Sequence, residues 1–236
     1  MERKLAQLVE RLKGAYTDRL VAVILYGSAA GGDHHLRFSD LNVLCVLKGI
    51  TPRELAEAGP ILRWWREQGN PAPLLLSAEE ARNATDCFPI EFHDIQERRR
   101  VLYGEDVVAG VEIDECFYRA QVEHELRAKL LRLRQKAAGV LSDKELLRGL
   151  LADSVSTFCV LFRHALRLAG HEAPFEKRAI LARAQEKFGI DPWALERLLD
   201  LREGKIRPRE LDPGPLLAAY LAAIERVTVA VDSLEK

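Results

Sequence analysis

Apolar residues recur over the first dozen positions at helical spacing. Leu5, Leu8, Val9 and Leu12 fall on one face, which predicts a helix over 2–13 with Gly14 as its stop. The pattern then changes. Leu20 to Tyr26 is an unbroken apolar run containing Val and Ile, which predicts a strand buried on both faces, and Leu41 to Leu47 predicts a second. Thr51-Pro52-Arg53-Glu54 combines a hydroxyl N-cap, a proline at the first helical position and a glutamate three residues on, so a helix starts there. It carries Leu55, Ile61 and Trp64, and Pro60 predicts a kink or a split. Pro73 to Leu76 predicts a short strand, Ser77-Ala78-Glu79-Glu80 a second capping box opening a short helix, and Pro89 to Ile95 a third strong strand.

After about residue 110 the strand signal disappears. Ile113 to Gln135 is long, charged and helix-periodic, and Ser142-Asp143-Lys144-Glu145 caps a helix running toward Gly170. Further helices are predicted over 175–188, from Asp191-Pro192, and over 215–234. The fold class expected is α+β: a mixed sheet with flanking helices over residues 1–108, followed by an all-α bundle over 109–236.

Composition narrows the function classes. The chain of 236 residues carries a formal net charge of -1, which argues against broad electrostatic capture of nucleic acid, so nucleic acid is not an expected partner. Cys45, Cys87, Cys116 and Cys159 lie far apart without C-x-x-C pairing, which predicts free thiols in a reducing cytoplasm rather than disulfides or zinc. The N-terminus lacks the apolar core of a signal peptide, and the run Leu20–Tyr26 is far too short to cross a membrane, so no membrane partner is expected.

The candidate chemistry lies between the first two predicted strands. Gly27 follows the first strand directly and allows a sharp turn close to a ligand. Ser28 adds a hydroxyl and a backbone N–H, both donors to a phosphate oxygen. After a polar glycine-rich loop, Asp40 and Asn42 stand two apart on the second strand, so their side chains leave on one face. Two carboxylates so placed would hold two Mg²⁺ ions about 3.5–4 Å apart for an in-line displacement at phosphorus. A third carboxylate is then wanted on a neighbouring strand. Glu91 and Asp94 are available, and on a strand they would point to opposite faces, so that only one could join.

These residues resemble the nucleotidyltransferase superfamily related to DNA polymerase β, with its Gly-Ser turn, short loop and Asp-x-Asp or Asp-x-Glu. Within it the layout is similar to adenylyltransferases that modify streptomycin and spectinomycin, which join such a domain to a helical C-terminal one. The resemblance implies transfer of a nucleoside monophosphate, AMP from Mg²⁺-ATP or another nucleoside triphosphate, to a hydroxyl-bearing acceptor. It favours Glu91, in Pro89-Ile90-Glu91-Phe92, as third metal ligand and as base on the acceptor hydroxyl. It also nominates Lys177, in Ala173-Pro174-Phe175-Glu176-Lys177, against the nucleotide phosphates. The chain departs from the pattern twice. Gly31 stands where an arginine is common, so a phosphate contact is missing. Asn42 replaces the second acidic ligand; its carbonyl oxygen still offers a lone pair to Mg²⁺ but brings no charge.

Other candidates are weaker. His34-His35 reads as a solvated loop pair and His93 as a satisfied strand histidine near Glu91. Arg98-Arg99-Arg100 and the basic series Arg127, Lys129, Arg132, Arg134 and Lys136 read as solvated faces, without the interleaved aromatic residues that would stack bases. Arg119 and His124 resemble the arginine–histidine element of HEPN ribonucleases. The alternative function is thus a catalytically degenerate nucleotide-binding or interaction module of the toxin–antitoxin nucleotidyltransferase and HEPN-like kind.

Overall fold

The computed structural model of the chain describes residues 1–31 and 41–234. It divides into two compact units, Met1–Phe117 and Tyr118–Lys236. In the first, α1 (Glu2–Tyr16) leads into β1 (Leu20–Tyr26), and a 3-10 turn over Gly27–Gly31 leaves β1 at its C-terminal end. There follow β2 (Asn42–Leu47), α2 (Pro52–Glu67), β3 (Leu74–Ser77), α3 (Glu80–Asn83), α4 (Pro89–Glu97) and β4 (Arg99–Gly104). The sheet order is β3-β2-β1-β4, with β1 antiparallel to both neighbours and β2 parallel to β3.

Both faces of β1 and β2 are buried, which is why their sequences run apolar without alternation. Val23, Leu25, Val43, Cys45 and Leu47 pack toward Leu5, Leu8 and Leu12 of α1 and Trp65 of α2. Ala22, Ile24, Leu44 and Val46 pack on the other side with Phe92 and Ile95 of α4. The Thr51 capping box is formed, and α2 passes through Pro60 without a break. Likewise α1 passes through Gly14 to Tyr16. Burial pushes the Cys45 thiol up to about 12, the behaviour of an inert core cysteine.

The expected strand over Pro89–Ile95 is instead helix α4. Pro89 occupies its first turn, where a missing N–H costs nothing, and the Phe92 N–H donates to the Phe88 carbonyl at 3.0 Å. Over seven residues the apolar positions fit either period. Phe92 and Ile95, three apart, are the ones that reach the core. The fourth strand is β4, whose arginines hide its period. It closes on Gly104 (φ +76°), where a Cβ would stand 1.9 Å from the Val21 carbonyl oxygen. Only glycine fits that approach.

The second unit holds α5 (Tyr118–Val140), α6 (Lys144–Leu168), α7 (Lys177–Phe188), α8 (Trp193–Arg202) and α9 (Pro213–Asp232). Asp143 caps α6 by accepting from the N–H groups of Glu145 and Leu146 at 2.9 and 3.0 Å. Among the described residues α9 is long and apolar enough to cross a bilayer by length and composition. It buries Leu216, Tyr220, Ile224 and Val227 within the unit, and its Glu225 pairs with Arg134 of α5 at 2.5 Å.

Candidate functional site

The end of β1 collects the chemistry of the first unit. Gly27 turns the chain with φ +75°, a conformation that L side chains rarely adopt, and its N–H donates to the Arg98 carbonyl at 2.9 Å. That N–H is therefore used by the fold. The donors the turn can offer a ligand come from half-buried Ser28, through its hydroxyl and its own N–H.

Across the sheet, Tyr26 is paired in register with Asn42 on one side and Arg99 on the other. Alternation puts Tyr26 on the face of Ala22 and Ile24, and Asn42 on the face of Leu44 and Val46, which is the side covered by α4. The Asn42 amide nitrogen lies 3.4 Å from where a Gly27 Cβ would stand, so the amide is turned toward the Gly27–Gly31 turn.

Glu91 and Asp94 stand on α4, half-buried and three residues apart, and hence on one helical face. The expectation that they point to opposite faces fails with the strand that required it. Both reach the neighbourhood of Tyr26: burial first, then the charges of Glu91 and Asp94, push its phenol well above the ordinary tyrosine value. Arg98 ends α4, and its guanidinium lies over Gly31; a Cβ there would meet Nη1 at 2.5 Å and Cζ at 3.1 Å. The position that seemed to lack a cation thus has one beside it, supplied by the residue that precedes β4, which pairs with β1 there. Neither Tyr26 nor Arg98 stands out in the sequence, since one reads as the last strand residue and the other as part of a basic run.

Asp40, His34, His35 and Ser39 lie outside the described residues. Among the described residues no group of three or more His, Cys, Asp or Glu side chains is placed to hold a metal ion. Glu91 and Asp94 lie in the neighbourhood of Tyr26, and the Asn42 amide faces the turn; carboxylate and amide oxygens are ligands of the kind Mg²⁺ takes.

Lys177 belongs to the second unit, at the first position of α7. Its Nζ donates to the Ser156 hydroxyl at 2.8 Å, and Arg202 Nη1 donates to the same oxygen at 2.6 Å. Both lie near Cys159, whose thiol burial nevertheless holds at about 12. Arg99 pairs with Asp106 and Arg100 with Glu2, each at 3.0 Å. His93 is buried on the helix rather than on a strand, with Nε2 3.0 Å from Glu115. Arg119 pairs with Glu123 at 2.9 Å, while His124, five positions along the same helix, is exposed. Arg127 and Lys129 are paired along α5 with Glu123 and Glu125.

No family model matches the chain, and no curated protein matches it. Among solved structures it is similar to the crystal structure of spectinomycin adenyltransferase AAD(9) from Enterococcus faecialis with ATP and spectinomycin. The TM-score is 0.61 at 12% identity, over 98% of this chain and 99% of that one. At that identity the likeness is one of fold. The chain has a nucleotidyltransferase-like α+β fold in a two-domain layout with a helical second part.

Proposed function

We propose that this chain is a nucleotidyltransferase that moves a nucleoside monophosphate, AMP from Mg²⁺-ATP, onto a hydroxyl of a small-molecule or protein acceptor in the cytoplasm. The observation that carries the reading is the convergence at the end of β1: a positive-φ glycine turn, Asn42 in register beside it, and the Glu91–Asp94 face of α4 closing on Tyr26. The whole-length likeness to an adenyltransferase fold supports it.

In this reading Gly27 lets the backbone approach the triphosphate and Ser28 donates to a phosphate oxygen. Asp40, Asn42 and Glu91 would hold Mg²⁺, which when bound neutralises charge on the phosphates. The acceptor oxygen attacks the α-phosphorus in line. Its proton passes to the Glu91 carboxylate, the bond to the β-phosphate oxygen breaks, and pyrophosphate leaves. Positioning and fixed charge supply most of the rate in such transfers.

The experiment is pyrophosphate release from each nucleoside triphosphate with Mg²⁺ and a panel of hydroxyl acceptors, aminoglycosides included, alongside mass analysis of the protein for self-modification. Release that disappears in Asp40→Ala supports the reading. Asn42 favours a second one, a module that binds nucleotide without turnover, because the neutral amide removes a charge from the cation site. Mg²⁺-dependent nucleotide binding without release, with release appearing in Asn42→Asp, would establish that one instead.

A further inference from the structure

The turn Gly27-Ser28-Ala29-Ala30-Gly31 carries no charged side chain, so it meets a phosphate with neutral donors only. We infer that Arg98 is the cation of this turn, its guanidinium set over Gly31 to take a phosphate oxygen pair of the nucleotide; this rests on the reading of the turn as a nucleotide site. Two independent contacts fix it there. The Arg98 carbonyl accepts from the Gly27 N–H at 2.9 Å, which ties its backbone to the start of the turn. Its side chain lies so close to the end of the turn that a Cβ on Gly31 would meet Nη1, Cζ and Cδ at 2.5, 3.1 and 3.2 Å. Gly31 has no positive φ to require glycine, so the space its missing side chain leaves is what admits the guanidinium.

Arg98 also follows Asp94 by four positions, and as the C-cap residue of α4 it donates its N–H to the Asp94 carbonyl at 3.2 Å. The carboxylates proposed for a cation and the guanidinium inferred for an anion thus belong to one helix and its C-cap. In the run Arg98-Arg99-Arg100 it is the Arg98 side chain that lies against Gly31. Half-buried, it keeps a planar fork of donors partly shielded from water, the form in which arginine recognises phosphate best.

The test is calorimetric titration of AMP, ADP and ATP, each with Mg²⁺, into the full chain and its variants. The wild type should tighten from AMP to ATP. Arg98→Ala should lose about 10–100-fold in ATP affinity with AMP affinity nearly unchanged, and Arg98→Lys should recover only part of the loss. Gly31→Arg alone should lower the melting temperature by steric conflict, and Gly31→Arg combined with Arg98→Ala should restore both folding and ATP affinity. Should Arg98→Ala fail to fold, Arg98→Gln and the double variant carry the test. A wild type that binds ATP, with these variants binding it equally well, overturns the role of Arg98 and leaves the nucleotide reading standing. A wild type that binds no nucleoside triphosphate overturns both.

Discussion

Asn42 stands directly across the β1–β2 pair from Tyr26, and its amide reaches the Gly27 turn. In the proposed site a neutral side chain therefore stands at the strand position of the second carboxylate. Restoring the charge with Asn42→Asp should tighten Mg²⁺ binding on the order of tenfold and raise turnover, since cation affinity follows ligand charge. Mg²⁺ titration of both proteins at fixed nucleotide checks it.

Glu91 and Asp94 share the α4 face, and the proposed mechanism gives the base to Glu91 alone. With Glu91 as the base, Glu91→Gln should cut the rate of pyrophosphate release by roughly 10²–10⁴-fold, and Asp94→Asn by much less. The reverse order, measured as single-turnover rates, would assign the base to Asp94.

Most of the first unit was legible in its pattern. Leu20–Tyr26 and Leu41–Leu47 read as buried strands, and β1 and β2 lie there with Leu41 just outside β2; the Thr51 box fixed the start of α2. The misreading fell where seven residues fit two periods: Pro89–Ile95 supplies apolar residues at spacings of two and of three, and only packing of Phe92 and Ile95 under the sheet decides between them. That one change moved Glu91 and Asp94 from opposite faces to the same one. It also brought Arg98 to the turn, a contact between residues 67 positions apart in the sequence that no local pattern encodes.

Glu54 links the start of α2 to Arg19 just before β1. Hydrogen bonds from Thr51 first, then from Arg19, hold its carboxyl down at about 2 although it is nearly buried, 6% exposed. A glutamate ordinarily titrates near 4.3, so the folded value is depressed. The stability this contributes is present above about pH 4.3 and is lost as pH falls toward 2. Glu54→Gln should thus be less stable than the parent at neutral pH, with the difference shrinking between pH 4.3 and 2. Urea midpoints measured across that range test the sign.

Glycines at two positions should differ in what they control. Gly104→Ala forces a Cβ against the Val21 carbonyl and should destabilise the first unit strongly. Gly27→Ala meets only ordinary contact with the Asn42 amide, so its cost is the positive φ, about 1–2 kcal/mol, together with weakened nucleotide binding. Thermal unfolding paired with nucleotide titration separates the two.

The most direct test of the whole account is pyrophosphate release by the purified chain with Mg²⁺-ATP and an acceptor panel, run beside Asp40→Ala and Asn42→Asp. The account predicts slow release by the parent, none by Asp40→Ala and faster release by Asn42→Asp. Release that persists unchanged in Asp40→Ala, or a parent and an Asn42→Asp variant that are both silent with every triphosphate and acceptor, would contradict it.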